Sequence, residues 1–533
     1  MRGFAWCGWL LLPGLAGAQF TCTTNDGSII ITGYTGTGGA VTIPDTIARY
    51  IVTSIGDYAF YDCTNLTSIT IGINVTNVGV APFDYCSSLT NITVAANNSN
   101  YASLDGVLFD QSKSTLIQYP DGLTGSYLIP ASVTSIGKAA FGSSLLTRII
   151  VPGTVTNIDD GAFAACASLT NAVISEGVIN LGAEALSGTA LTEITIPGSI
   201  TAIGLSEFAG CRSLTKITVA PNNLTYSSVA GVLFNRSQST IVGYPAGATG
   251  NYTIPASVNA IGDVAFLNSG ITSLSIPGTV RTIGINAFGY CDELTNVMIA
   301  NGVVDVGDLA FYECRQLAQV NIPLSVTNIG EFAFFDCESL LGVIVPGNVT
   351  SIGQSAFNLC INLSYVILTN GLQNIGSEAF ADCSSLTNIV IPASVTKVGP
   401  GAFTYSTSLT GVYFKGSPPV VDSSAWSGDD NVVAYYLPTT TGWDDWSLNA
   451  GIPVTPWLPK ISIGDGNWGE PSSPFGFNIN WVAGQTLAVQ ACTNLAHPDW
   501  QPLQKLTLTN DAVSFSDPKW TNYRARFYSL ALP

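Results

Sequence analysis

One spacing dominates this 533-residue chain. A phenylalanine, usually preceded by alanine, returns every 22 or 23 residues. The landmarks are Phe60, Phe83, Phe141, Phe163, Leu186 (in place of Phe), Phe208, Phe266, Phe288, Phe311, Phe334, Phe357, Phe380 and Phe403, which makes thirteen units. Two gaps of 58 residues, 83 to 141 and 208 to 266, each hold an additional segment. The two segments match at an offset of 125: Gly106-Val107-Leu108-Phe109 meets Gly231-Val232-Leu233-Phe234, and 101–130 aligns with 226–255. A block of coils with its insert has been duplicated. A unit this short cannot bury its own apolar face, so neighbouring units must stack.

The unit that begins at Leu317 shows how one coil is built. Leu317, Val320 and Ile322 carry the L-x-x-L-x-L spacing of a leucine-rich repeat strand. Alternation with period two turns Val320 and Ile322 inward and leaves Gln319 and Asn321 outward. Pro323 ends the strand because it has no N–H for the ladder. Val326, Ile329 and Phe334 then bring the chain back across the rear. The full pattern is densest between residues 386 and 403: Leu386-Thr387, Ile389, Ile391-Pro392, Ser394-Val395-Thr396, Val398-Gly399 and Ala402-Phe403.

This pattern resembles the BspA-like (Treponema-type) bacterial leucine-rich repeat over about residues 50–415. The resemblance implies a mainly β chain wound as a right-handed solenoid. It also implies an exported or surface-located protein, with adhesion or host and matrix protein binding in some members, and no enzyme activity. The motif residues build the core, so the resemblance specifies the fold and leaves the ligand open. The expected organisation is a signal peptide at 1–18, an N-terminal cap coil at 19–54, the solenoid at 55–415, a cap and linker at 416–459, and a small β-sandwich-like module at 460–533.

The first segment is read from Arg2, an apolar run over residues 4–15 and the small-x-small Ala16-Gly17-Ala18. That run is shorter than the about 20 residues a membrane-spanning helix needs. No later run is long and apolar enough, so no integral membrane segment is expected once the signal is removed. Beyond residue 460 the repeat is gone. Short alternating runs at 475–481, 486–491, 503–508, 513–515 and 526–532, with turn residues between them, suggest the terminal module.

Nine of the twelve cysteines stand three residues after a landmark, and Cys291, Cys314, Cys337, Cys360 and Cys383 recur every 23. They should stack as a structural ladder. The units at Phe141, Leu186 and Phe266 lack the cysteine and are one residue shorter before the strand, while Phe403 has Ser406 there. That association points to a small, buried, near-apolar group fitted to one turn. Disulfides are the competing reading. Stacked Cβ atoms about 4.8 Å apart, against the about 3.8 Å a disulfide prefers, weigh against it. No C-x-x-C pair or nearby histidine supports zinc.

Composition narrows the chemistry. Only 17 Lys and Arg stand against 35 Asp and Glu, for a net charge of −18. Such a chain cannot neutralise a phosphate backbone, so nucleic acid is not an expected partner. The single histidine, His497, lies in a turn before Pro498, and pairing with Asp499 as a base is the less favoured reading. The acidic stretch 464–470 and the pairs Asp429-Asp430 and Asp444-Asp445 fall short of a calcium loop. No nucleophile elbow, P-loop or dinucleotide fingerprint occurs. Neither enzyme activity nor a cofactor nor a metal is expected.

What remains is the outward face of the strands. In early units it is small and polar, as at Ser68, Thr70, Asn91 and Thr93. In later units it turns apolar: Met298, Ile344, Tyr365, Ile367, Val390 and Tyr413. Apolar side chains on a solvent face mark a partner surface, and the competing readings are burial by the tail module or simple β-propensity. The leading expectation is a non-catalytic adhesion or binding protein with a protein or glycan ligand. The alternatives are an envelope or matrix scaffold, and a carbohydrate-binding accessory protein suggested by the Trp and Tyr of the last 120 residues. Nothing in the sequence fixes an oligomeric state.

Overall fold

The computed structural model describes residues 19–462 and 475–532, apart from residue 26. The expected signal segment and the acidic stretch 464–470 therefore lie outside the described residues. The chain is mainly β, and the one α-helix among the described residues is Trp443–Ala450. It divides into two compact units, Met1–Leu340 and Leu341–Pro533.

The first unit opens with an antiparallel hairpin, Phe20–Asn25 and Ser28–Tyr34, whose second strand pairs in parallel with Tyr50–Ile55. From there the chain winds in coils with a longer front strand and a two-residue rear strand. Leu66–Ile71 and Asn91–Val94 are successive front strands, paired Ser68 to Asn91 and Ile69 to Ile92. Asn157–Ile158, Asn180–Leu181 and Ala202–Ile203 are successive rear strands. The turn between rear and front is also laddered: the Phe141 N–H donates to the Ala162 carbonyl and the Phe163 N–H to that of Ala185, both at 2.8 Å. Rear strands and landmark turns thus find backbone partners on the next coil, while the front strands pair in shorter runs, with Asn171–Ile174 and Glu193–Ile196 in separate sheets.

The landmark side chains form the axis of the core. Phe266, Phe288, Phe311 and Phe334 are fully buried, and their rings stack coil on coil at 4.8, 5.1 and 5.2 Å. Each buried ring is worth about 1.5–3 kcal/mol in area, with about 0.5–1.5 kcal/mol more from each ring pair. The sharp landmark turn requires left-handed backbone on both sides, as at Leu309 (φ 57°) and Glu313 (φ 52°) around Phe311. The glycine after each rear strand has a steric cause. A Cβ on Gly330 would stand 2.5 Å from the Asp308 nitrogen of the coil before.

Each insert is a three-stranded antiparallel meander followed by a further front strand. In the first, Tyr101–Leu104, Val107–Asp110 and Thr115–Gln118 pair in order, and Thr115–Gln118 then begins the rear sheet beside Ser135–Ile136. Gly125–Leu128 begins a front sheet beside Leu146–Val151. Tyr226–Val229, Val232–Asn235, Thr240–Gly243 and Gly250–Thr253 repeat this arrangement. Tyr119 stacks on Phe141 at 5.0 Å and Tyr244 on Phe266 at 4.7 Å. Both tyrosines therefore occupy the landmark lane, which counting phenylalanines does not reveal.

The cysteine lane is a hydrogen-bonded one. Cys86 donates its Sγ–H to the Phe60 carbonyl at 3.1 Å, Cys166 to Phe141 at 2.8 Å and Cys314 to Phe288 at 3.0 Å. In the second unit Cys383 donates to Phe357 at 3.2 Å and Ser406 to Phe380 at 2.8 Å. Cys86, Cys166, Cys211, Cys291, Cys314 and Cys383 are buried free thiols. The three units without cysteine keep a polar hydrogen there. Ser144, Thr189 and Ser269 are buried at the same step, within 3.3–3.4 Å of the next cysteine sulfur. At these cysteines and at Ser406 the lane thus holds a small donor for a landmark carbonyl, a need that an apolar filler does not meet.

The second unit carries six parallel front strands: Gly342–Val345, Tyr365–Leu368, Asn388–Ile391, Gly411–Phe414, Val433–Tyr436 and Val454–Pro456. Its landmark lane runs Phe357, Phe380, Phe403 and then Trp426, which stacks on Phe403 at 6.1 Å. Trp443 and Trp446 of the helix are buried against Phe414. Gly451 ends the helix in the left-handed conformation and donates to the Ser447 carbonyl.

Two three-stranded antiparallel sheets follow. One is Lys460–Ser462, Phe475–Asn480 and Ala512–Asp517; the other is Gln501–Thr507, Thr486–Cys492 and Phe527–Ala531. They share a core of Phe477, Ile479, Trp481, Leu487, Val489 and Phe515, to which Leu437 and Trp457 belong as well.

Candidate functional site

The outward face of the front sheet in the second unit brings the apolar candidates together. Alternation buries Val343, Val366, Ile389 and Val412 on the core side. The residues between them point away. Strand register pairs Ile344 with Ile367, Ile367 with Val390, Val390 with Tyr413, and Tyr413 with Tyr435. These five form one lane across adjacent strands, at about 4.8 Å per step. Ile344 and Ile367 are about half exposed, at 51% and 48%.

Tyr365 lies on the same face and pairs with Gly342. Its ring rests on that glycine, since a Cβ there would come within 2.0 Å of the Tyr365 Cζ. Gly342 is thus the seat that lets the ring lie along the sheet. Gly411 does the same for Tyr413, whose Cε2 would stand 2.7 Å from an added Cβ.

Tyr413 itself departs from the expected free anchor. It stacks on Tyr435 at 4.5 Å and 10°, and Trp457 covers it at 4.9 Å. Burial, with the Tyr435 phenol beside it, pushes its hydroxyl up. This end of the lane is packed by the cap residues 435 and 457, which lie outside the repeat. Met298 lies in the first unit, 60% exposed, between Ser275 and Asn321 on the neighbouring strands. Polar neighbours on both sides keep it out of any apolar lane there.

Apart from its phenols the lane has no ionisable group, so it can bury area and exclude water but cannot move protons. Elsewhere, His497 and Asp499 line a cavity of about 190 Å³ in the terminal module with Cys492 and Arg526. Asp499 accepts from Gln501 Nε2 at 2.7 Å, and no hydrogen bond joins it to His497 among the described residues. Of the tryptophans behind the carbohydrate reading, four are core residues, while Trp457, Trp500 and Trp520 are half-buried. Trp426, Trp443, Trp446 and Trp481 are all at most 5% exposed.

Stacked coils with parallel front and rear strands define a leucine-rich repeat solenoid. The chain belongs to the BspA-type leucine-rich repeat family, whose six-copy region matches residues 40–127, 134–238, 247–341 and 304–433. A leucine-rich repeat protein from Eubacterium ventriosum shares 24% identity over 72% of this chain and 91% of its own, with a TM-score of 0.51. A leucine rich cell surface protein from Faecalibacterium prausnitzii shares 27% identity over 75% and 93%, with a TM-score of 0.44. The pneumococcal vaccine antigen PcpA shares 18% over 82% and 96%, with a TM-score of 0.45. None of the curated proteins matches the chain.

Proposed function

We propose that this chain is an exported, non-catalytic binding protein that offers the front sheet of its second unit to a protein ligand at a surface. The observation that carries this reading is the lane Ile344, Ile367, Val390 and Tyr413 with Tyr365 beside it. Rigid strands hold these side chains at fixed spacing, which lowers the ordering cost of binding. Tyr365, 51% exposed, offers large contact area and a polar end, as interface anchors do. Export rests on the residues at 1–18, and the expected caps are 19–54 and 416–459.

The test is an array of extracellular matrix proteins and glycans probed with labelled residues 19–533. Binding to a protein that a Tyr365→Ser, Ile367→Asp double variant loses supports the reading, provided the variant melts as the parent does. Glycan binding that the double variant retains, or no binding at all, refutes it, and the latter outcome favours a scaffold.

A further inference from the structure

The duplicated block permits a comparison within one chain. The coils that precede each insert have landmarks Phe60 and Phe83 in the first copy and Leu186 and Phe208 in the second. Counted from those landmarks, Tyr58, Tyr61, Asp62, Asp84 and Tyr85 stand where the second copy has Glu184, Ser187, Gly188, Ala209 and Gly210. The coil therefore folds without aromatic rings at these turns. Tyr85 and Gly210 share left-handed backbone, at φ 60° and 67°, as do Asp62 and Gly188, at 58° and 69°. Glycine takes that conformation freely and tyrosine takes it at a cost, so the fold alone does not select the ring.

The turns of the two coils are laddered. The Tyr58 N–H donates to the Val80 carbonyl at 3.1 Å and the Asp62 N–H to the Asp84 carbonyl at 3.0 Å. This brings three rings together. Tyr61 meets Tyr58 at 6.2 Å and 77°, and Tyr85 at 5.3 Å and 63°. Edge-to-face contacts of this kind leave the rings open, with Tyr58 and Tyr61 each 53% exposed and Tyr85 45%. Asp57 and Asp62, next in sequence to Tyr58 and Tyr61, are exposed as well. Asp57 accepts the Val80 N–H through Oδ1 at 2.7 Å. Asp84 is half-buried, with one oxygen shut away from solvent. No ion pair among the described residues involves Asp57, Asp62 or Asp84. The Tyr61 hydroxyl is pushed up, first by desolvation and then by Tyr85, Asp84 and Asp62. The negative potential that resists a phenolate there attracts a cation.

We infer that this patch is a docking site for an arginine-bearing segment of a basic protein. A guanidinium stacks flat on a tyrosine face while its N–H fork meets a neighbouring carboxylate, which a compact ammonium does less well. Charge complementarity selects the occupant. The carboxylates beside the rings have no cation of their own, and a net charge of −18 repels an acidic partner. A purely apolar partner would desolvate Asp57 and Asp62 and offer them nothing in return. The patch lies in the first unit and does not depend on the front sheet of the second.

The experiment is fluorescence anisotropy of residues 19–533 with a fluorescein-labelled arginine–glycine repeat peptide at physiological salt, beside the matching lysine and citrulline peptides. The arginine peptide should bind, the lysine peptide about threefold or more weakly and the neutral citrulline peptide about tenfold or more weakly. Tyr61→Ser, Asp62→Gly and Tyr85→Gly together install the second copy's residues at exposed positions and should weaken the arginine peptide about tenfold or more. Asp62→Asn alone should weaken it about threefold. Asp292→Asn, which removes the same charge from another exposed turn, should leave it unchanged. Absence of arginine-peptide binding to the parent chain overturns the inference, as does equal binding of the lysine or citrulline peptide. Undiminished binding by the triple variant also overturns it. So do equal losses in Asp62→Asn and Asp292→Asn, which would mark net charge alone.

Discussion

Cys166 offers a sharp test of the cysteine lane as a row of hydrogen-bond donors. Its Sγ is fully buried, donates to the Phe141 carbonyl at 2.8 Å and lies 3.4 Å from the Ser144 Oγ. Burial pushes the thiol up to about 12, so it keeps its proton at any ordinary pH. Cys166→Ala removes both the sulfur and the donor. The lost transfer energy is about 1 kcal/mol and the lost hydrogen bond about 1 kcal/mol, or about 2 kcal/mol together. Cys166→Ser keeps the donor, and Ser406 already does the same work at 2.8 Å from the Phe380 carbonyl. Its cost should be about 0.5–1 kcal/mol, from lost volume alone. Cys166→Val keeps the volume and loses the donor, at about 1–2 kcal/mol. The assay is urea unfolding followed by circular dichroism, with slopes compared so that only changes in midpoint at constant slope are read as stability. The expected order is Ser mildest, with Ala and Val below it. If Ser were the most damaging of the three, the lane would be an apolar filler and the hydrogen-bond argument would fail.

Three further outcomes follow from particular residues. Asp121 is fully buried, and desolvation, with Asp84 nearby, raises its carboxyl to about 8. An unfolded aspartate titrates near about 3.9, so between those values the folded chain holds a proton that the unfolded chain has released, and stability falls as pH rises. Asp121→Asn should flatten that fall between about pH 4 and 8, and unfolding curves that stay parallel to the parent's would refute the assignment. Val264 sits at φ 53°, a region β-branched residues avoid, so Val264→Gly should raise stability by about 0.5–1 kcal/mol in the same urea assay. Gly330→Ala should lower it by about 2 kcal/mol or more, because the added Cβ strikes backbone and not a movable side chain.

The fold was legible because each coil repeats the same environment, so Leu317, Ile329 and Phe334 recur where the same core space recurs. Strand alternation and the 23-residue spacing also fixed the lane Ile344, Ile367, Val390 and Tyr413, because register follows from the repeat. Several features lay beyond that logic. Tyr119 and Tyr244 enter the landmark lane through inserts of different length, although the Tyr-Pro pair in both copies was a usable signal. The covering of Tyr413 comes from Tyr435 and Trp457, residues with no periodic position. The place of Ser144, Thr189 and Ser269 in the lane was hidden because a missing cysteine reads as a loss until the next sulfur beside it is seen. Glu207 is hard to see for a similar reason: a single departure from Ala-Phe looks like noise until its carboxylate is found accepting the Ala185 N–H of the coil before.

The meanders have a consequence for how the chain acquires its structure. Coil-to-coil pairs in the first unit join residues 22 or 23 apart, as Asn157 with Asn180 and Asn180 with Ala202. The pairs between Val107–Asp110 and Tyr101–Leu104 close over far shorter stretches, from Val107 with Leu104 to Asp110 with Tyr101. Val232–Asn235 with Tyr226–Val229 closes just as locally, and so does the hairpin of Phe20–Asn25 with Ser28–Tyr34. Loop closure is cheaper over short stretches, and hairpins form in about 1–10 μs. These three places are therefore the natural seeds from which winding spreads, coil by coil, over chain whose own pairings are too distant to start it. On this view the inserts divide one long, slow assembly into short runs, each with its own starting point.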